Sequence, residues 1–147
     1  MLSHPMPTAR RLLLTAVALA ATAGGISACG EQGISPSVSP ENRRAAEIFV
    51  ERCSGCHTLS VAGTEGSTDN VRAREYKDGP NFDQRKVTEQ CALYAIRNGG
   101  FSSGPMPQDI VVGEDAVAVA RFLAEYSGSQ VTNVPGQKTG AVDCPPA

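Results

Sequence analysis

The chain of 147 residues contains no tryptophan, and only 5% of its residues are aromatic. So few large side chains predict a small core, or one that is filled by something other than the chain itself. Neither sign of charge dominates, since 13 basic residues stand against 15 acidic ones and the formal net charge is −2. This balance argues against a nucleic-acid-binding protein, which would show a basic excess. The length allows one domain with a tail.

The apolar run from Leu12 to Ala23 is too short to span a bilayer. It has 12 residues, whereas a transmembrane helix needs about 20 and the apolar core of a secretory signal about 7–15. Arg10 and Arg11 precede it and two glycines end it. We therefore expect residues 1–28 to be a signal peptide. A buried N-terminal helix is the alternative, although the run has no amphipathic period.

The residues Ile26-Ser27-Ala28-Cys29 resemble the lipobox of bacterial lipoproteins, an aliphatic residue and two small ones before a cysteine. The resemblance implies cleavage before Cys29 and lipidation of its sulfur. An ordinary secretory cleavage site is the alternative. Loss of residues 1–28 leaves 119 residues and removes two arginines and no acid, so the formal net charge falls from −2 to −4. The mature chain keeps one histidine, His57, and one methionine, Met106.

Three helices are predicted in the mature chain, and no run has the alternation of a β-strand. The first helix is Glu41–Cys53, and Ala45, Ile48 and Phe49 form its buried face. The second is Gln84–Asn98, whose buried face has Val87, Cys91 and Tyr94. The third is Glu114–Tyr126, and its core-facing residues are Val119, Phe122, Leu123 and Tyr126. Residues 29–40 are rich in Gly, Ser and Pro and predict a flexible tether. We expect a long loop over Ser60–Pro80. The all-α domain as a whole is expected to span 41–128, and an irregular tail to follow it over 129–147.

The chemistry is concentrated in Cys53-Ser-Gly-Cys56-His57. The pattern Cys-x-x-Cys-His is recognised as the attachment site of c-type haem. Two thiols one helical turn apart can each add to a haem vinyl group, and the histidine that follows is then held against the iron as an axial ligand. The motif therefore predicts one covalent haem c.

Other interpretations of these cysteines compete with haem attachment. A thioredoxin-like redox pair needs a βαβ pattern, and none is visible. A zinc site could combine Cys53 and Cys56 with Cys91 and Cys144, but these last two form no second Cys-x-x-Cys pair. Chance occurrence of the motif is the third alternative.

The segment from about Glu41 to Ser127 resembles the small monohaem cytochromes c. Phe49 stands four residues before the first haem cysteine, Gly79-Pro80-Asn81 follows the motif, and Asn98-Gly99 and Met106-Pro107 come after it. The resemblance implies the all-α cytochrome c fold, with three main helices and loops around one haem. The chain departs from the family at Ala45, where glycine is usual, and in a longer loop from Thr58 to Asp78.

The same resemblance implies the ligands of the haem. His57 and Met106 would be axial, and the Pro80 carbonyl would accept a hydrogen bond from the His57 ring. Met106 is also favoured because the mature chain offers no second histidine and because it lies in Gly104-Pro105-Met106-Pro107, a loop without period. A core methionine, a lysine ligand and an open sixth position are the alternatives.

Five cysteines then leave one pair to assign. One is lipidated and two hold haem, so Cys91 and Cys144 are predicted to form a disulfide, which an exported domain permits. Two unrelated thiols are the alternative.

The sequence as a whole predicts a membrane-anchored electron carrier that is not an enzyme. Its expected partners are redox proteins such as membrane respiratory complexes, with the bilayer contacted through the lipid and no nucleic acid bound. It would lie in the periplasm or at the outer face of the cytoplasmic membrane. A haem subunit or sensor with an open sixth position and a non-haem thiol or metal lipoprotein are the alternatives.

Overall fold

The computed structural model of the protein describes residues 33–68, 70–101, 104–131 and 144. The chain divides into two units, residues 1–31 and 32–147, and every described residue belongs to the second. The predicted signal peptide and Cys29 lie outside the described residues. Among the helices of the described part, none is both long enough and apolar enough to cross a membrane.

Three α-helices frame the described part of the chain, close to where the sequence predicts them. Helix α1 spans Arg43–Cys53, α2 spans Glu89–Asn98 and α3 spans Gly113–Tyr126. A 3-10 turn, Pro40–Asn42, leads into α1, as proline at a first helical turn favours. Helix α3 packs against both α1 and α2. The predicted all-α class is confirmed.

The core draws on all three helices. Ala46 and Phe49 of α1, Ile96 of α2 and Val119 and Phe122 of α3 are almost completely buried in one cluster. The rings of Phe49 and Phe122 meet at a tilt of 60° with centroids 6.1 Å apart, a favourable arrangement for aromatic pairs. Two of the seven aromatic residues of the chain thus meet where α1 and α3 pack together.

Helix α2 begins at Glu89 and not at Gln84, so its predicted start is wrong. Thr88 is the N-cap, and its hydroxyl accepts a hydrogen bond from the backbone N–H of Cys91 at 3.2 Å. The N–H of Val87 donates instead to the hydroxyl of the serine that follows α3, at 3.1 Å. Residues 84–87 therefore connect to the end of α3 and are not part of a helix.

A two-stranded antiparallel sheet, which the sequence did not predict, lies at the start of the long loop. Strand β1 is Thr58–Leu59 and β2 is Thr64–Glu65. The 3-10 turn Ser60–Ala62 and Gly63, with φ 70°, join them. Strands of two residues are too short to show an alternating pattern. A further 3-10 turn, Val71–Ala73, lies later in the loop.

The segment from Gly33 to Ser39 is packed on the domain, which differs from the predicted flexible tether. Val38 is buried and Ile34 packs against the core cluster. The N–H of Ser35 donates to the Val61 carbonyl at 2.8 Å. Two apolar side chains thus hold a segment whose composition alone favours flexibility.

The C-terminal segment leaves α3 through Gly128, which has φ 79°. The N–H of Gln130 donates to the Asp83 carbonyl at 2.8 Å. Of the predicted tail, residues 129–131 and 144 are described.

Candidate functional site

The two cysteines and the histidine of the motif lie in a tight turn at the end of α1. The carbonyl of Cys53 accepts hydrogen bonds from the N–H groups of Cys56 at 3.1 Å and His57 at 3.0 Å. Both thiols are free and half-buried. His57 is buried, with 8% of its surface exposed. The turn therefore brings two thiols and one imidazole together within five residues.

A second segment runs beside this turn and fixes it. The N–H of Gly79 donates to the Cys56 carbonyl at 2.7 Å, and the N–H of Phe82 donates to the Thr58 carbonyl at 2.8 Å. Between these two bonds, the Pro80 carbonyl oxygen lies 3.0 Å from Nδ1 of His57. The structure thus brings the predicted Pro80 to the ring of the predicted ligand.

The imidazole of His57 is held between Gly79 and Phe82. A Cβ atom at position 79 would lie 2.6 Å from Nδ1 of His57 and closer still to Cε1, so only glycine allows the segment to approach this far. The Phe82 ring stacks on the imidazole with centroids 4.8 Å apart and planes inclined by 17°. We call these contacts of Gly79, Pro80 and Phe82 the His57 clamp.

The clamp determines which nitrogen of His57 can bind a metal. The Pro80 carbonyl can only accept a hydrogen bond, so Nδ1 carries the proton and Nε2 carries the lone pair. Burial lowers the pKa of His57, and the bond to Pro80 opposes this only in part. Burial therefore favours the neutral ring, which is the form that binds a metal. No side chain or backbone group of the described residues bonds Nε2.

The thiols of the site lack the character of a redox pair. Burial, with a contribution from Cys56, raises the pKa of the Cys53 thiol to about 12. Redox-active cysteines depend on the opposite shift, because the thiolate is the nucleophile. The thioredoxin-like alternative is therefore disfavoured.

Met106 lies in the loop between α2 and α3 and packs half-buried against the core cluster. Two glycines with positive φ, Gly99 and Gly100, shape the start of this loop. A Cβ at Gly99 would lie 2.8 Å from the Met106 carbonyl, and one at Gly100 would lie 3.7 Å from its sulfur. The residues at the end of α2 thus contact Met106 directly and help to hold it in place, although its loop has no regular secondary structure.

The structure joins Cys91 of α2 to Cys144, with their Cα atoms 5.2 Å apart. The side-chain amide of the neighbouring Gln90 donates to the Cys144 carbonyl at 2.7 Å. A disulfide withholds both sulfurs from a metal, which disfavours the zinc alternative. Within the described residues, no group of three or more His, Cys, Asp or Glu side chains could hold a metal ion. Cys29, the predicted lipidation site, lies outside the described residues.

Sequence reasoning missed Asp83, which stabilises the site through hydrogen bonds to Ser60, the residue that follows strand β1. Its side chain is almost fully buried. Its carboxylate oxygens accept hydrogen bonds from the Ser60 N–H at 2.9 Å and the Ser60 hydroxyl at 2.5 Å. The strand pair next to His57 is thereby connected to the segment that carries Pro80. A single aspartate after Gly-Pro-Asn-Phe gives no sequence signal for this contact.

Comparison with known proteins identifies the class to which this fold and site belong. The family model described as "Cytochrome c" matches residues 43–127, more than half of the chain. The chain belongs to the cytochrome c family. Among solved structures, it is similar to the c-type cytochrome SorU from Sinorhizobium meliloti, at 32% identity over 60% of this chain and 92% of that one, with a TM-score of 0.47. A comparison with curated proteins finds no significant match.

Membership of this family implies a covalently bound haem c, a role in electron transfer and export from the cytoplasm. The residues of the site fit such a group. Cys53 and Cys56 are unpaired, and the clamp leaves the Nε2 lone pair of the imidazole available. These donors are the ones that haem attachment requires.

Proposed function

We propose that the protein is a one-electron carrier that holds a single haem c through Cys53 and Cys56, with His57 and Met106 as axial ligands. The His57 clamp is the observation that carries this proposal. Three neighbours fix the ring and its tautomer, while its second nitrogen has no bond to the described residues. A histidine with only a packing role has no need of such an arrangement.

The chain's own residues would orient and protect the iron. Haem supplies the chemistry, which is a one-electron change between Fe(III) and Fe(II). The Pro80 carbonyl increases the basicity of His57 through the Nδ1 hydrogen bond. The Met106 thioether is a soft ligand, which favours Fe(II) and raises the potential. If His57 and Met106 both bound the iron, no place would remain on it for a substrate, and this supports a carrier function.

The replacement Met106→Ala tests the sixth ligand. We expect the oxidised protein to lose the weak sulfur–iron charge-transfer band at the red end of the visible spectrum and the reduced protein to bind CO. Ile110→Ala is the matched control, because Ile110 lies in the same loop and also packs half-buried against the core cluster. It removes apolar volume without removing a ligand atom and should keep the band.

CO binding by the unmodified reduced protein would contradict the assignment of Met106. It would favour the haem subunit or sensor with an open sixth position. A purified protein that loses its haem in acid–acetone would contradict covalent attachment altogether.

We further propose that Cys29 carries a lipid that holds the domain at the outer face of the cytoplasmic membrane. The sequence Ile26-Ser27-Ala28-Cys29 and the short apolar run before it support this anchor. Two or more acyl chains anchor a protein stably, whereas one chain is marginal. The tether would raise the concentration of the domain near redox partners in the membrane.

Cell fractionation of Cys29→Ser tests the anchor. We expect this variant to move from the membrane fraction to the soluble fraction, while Ser27→Ala, which keeps a small residue in the lipobox, should stay in the membrane. If Cys29→Ser remained in the membrane fraction after a salt wash, the anchor would lie elsewhere.

The proposed partners are an electron donor and an electron acceptor. The formal net charge of −4 after loss of residues 1–28 favours partners with a basic docking face. The rate of electron transfer to such a partner should fall as salt increases, since weak redox encounters depend on charge steering.

A further inference from the structure

The N-terminal segment Gly33–Ser39 is the feature that the proposed function has not used. It is packed on the domain at both ends. At its start, the Ser35 N–H donates to the Val61 carbonyl at 2.8 Å. At its end, the Ser39 N–H donates to the Tyr126 hydroxyl at 3.0 Å. Between them, Val38 is buried with 3% of its surface exposed. The segment is thus part of the folded domain.

The first residue of the segment is held especially closely. A Cβ on Gly63 would lie 2.5–2.9 Å from three backbone atoms of Gly33. The next carbonyl, that of Ile34, accepts a hydrogen bond from Nη1 of Arg43 at 3.4 Å. The position of Gly33 on the domain surface is therefore fixed from two sides.

Only a short stretch of chain separates this fixed point from the proposed anchor. Residues 30–32 stand between Cys29 and Gly33. Even fully extended, the four steps from Cys29 to Gly33 reach about 14 Å. The headgroup layer of one leaflet takes up roughly 5–7 Å of that distance. Gly33 must then lie within several ångströms of the outer edge of the headgroups.

This reach of about 14 Å is short compared with the thickness of the domain. A folded domain of about 100 residues has a radius of gyration of about 13 Å and is therefore roughly 30 Å thick. An anchor that reaches 14 Å cannot extend to the opposite side, so the domain cannot turn Gly33 away from the bilayer. A flexible tether over the whole of 30–40 would have left the domain free to rotate.

We propose that the anchored domain sits on the bilayer in a fixed orientation. Its membrane face is formed by Gly33, Ile34, Arg43 and the exposed Ser60. This inference rests on the proposed lipidation of Cys29. The guanidinium of Arg43 is exposed and has N–H donors beyond the one given to Ile34, so it can bind lipid phosphate oxygens. The occupant of this face is thus the phospholipid headgroup layer, and redox partners must approach other faces.

The test uses the full lipidated chain in vesicles that contain a lipid with a nickel-chelating headgroup. A spin label is placed at one of two exposed positions, Pro36→Cys in the docked segment or Arg97→Cys near the end of α2. The haem is kept reduced, so that low-spin Fe(II) does not relax the label. We expect nickel to relax the label at position 36 several-fold more than the label at position 97.

Two variants isolate the cause. The first inserts twelve Gly and Ser residues after Gly30, which lengthens the chain between Cys29 and Gly33 and leaves the domain unchanged. The second, Val38→Ser, weakens the packing of the segment Gly33–Ser39 on the domain without lengthening the chain. Both should bring the ratio of the two relaxation effects close to one. Equal relaxation at both positions in the natural chain would overturn the inference, as would a ratio that the insertion leaves unchanged.

Failure of the anchor is seen separately from failure of the orientation. A protein that stays in solution when the vesicles are sedimented would contradict lipidation of Cys29 and remove the basis of the inference. A protein that sediments with the vesicles but shows equal relaxation at both positions would contradict only the fixed orientation.

Discussion

At the scale of single residues, the motif predicts the identity of the donors and the family resemblance adds Pro80, but neither predicts how Gly79 and Phe82 contact the His57 ring. Cys53, Cys56 and His57 follow from the spacing of the motif, since all three lie within five residues. Phe82 and Gly79 contact the His57 ring across more than twenty residues of chain. Contacts between distant segments depend on the fold, so no local pattern could have predicted the stacking of Phe82 or the close approach of Gly79.

Gly79→Ala should disturb the site through sterics alone. Its Cβ would overlap the His57 ring, and Pro80 next to it would have to move away from Nδ1. Overpacking of a tight site costs about 1–3 kcal/mol, so we expect a lower unfolding midpoint together with a changed haem potential. Glu47→Ala is the control, because Glu47 lies on the exposed side of α1 and away from the His57 ring contacts. An unaltered potential in Gly79→Ala would show that the clamp does not tune the iron.

At the scale of elements, the sequence predicts the helices well and their connections poorly. The predicted start of the last helix, Glu114, is within one residue of the observed Gly113, because an acidic first turn follows a loop. The sequence places the start of α2 too early because Val87 fits its apolar period. The better signal is Thr88, an N-cap residue directly before Glu89. The strand pair β1–β2 has no pattern long enough to detect.

The connection between the strand pair and the Pro80 segment depends on Asp83. In Asp83→Ala the Ser60 N–H and hydroxyl lose their charged acceptor, and a hydrogen bond to a charged group contributes about 1.5–3 kcal/mol. We expect a loss of that order in chemical denaturation, and a smaller loss in Asp83→Asn, which keeps one acceptor oxygen.

Asp115→Ala provides the comparison for Asp83→Ala. Asp115 pairs with Arg44 at 3.9 Å on the exposed surface, where such pairs contribute less than about 1 kcal/mol. Equal losses in Asp83→Ala and Asp115→Ala would mean that Asp83 has no special role in joining the two segments.

At the scale of the whole molecule, composition predicts one domain with two tails, and the structure describes a part of each. Residues 33–39 look like a linker because Gly, Ser and Pro dominate, yet Ile34 and Val38 are enough to dock them. Two isolated apolar residues have no periodicity, so only the surface that receives them reveals their role. At the other end, the cysteine count predicts that Cys144 pairs with Cys91, and the structure joins the two.

The bond between Cys91 and Cys144 should be a main source of stability for the molecule as a whole. It closes a segment of 53 residues that contains the Met106 loop and α3. The chain-entropy model gives about 4 kcal/mol for a loop of that size. Covalent haem attachment constrains a different part of the chain, from Cys53 to Cys56, so the two effects should add. In Cys91→Ser/Cys144→Ser we therefore expect a large fall in the free energy of unfolding, measured by chemical denaturation of the haem-loaded protein. Each single variant should lose at least as much free energy of unfolding as the double variant, because each also leaves one thiol unpaired.

Alkylation of the native protein without reductant, followed by mass spectrometry, should label neither Cys91 nor Cys144. Two labelled thiols would contradict the disulfide.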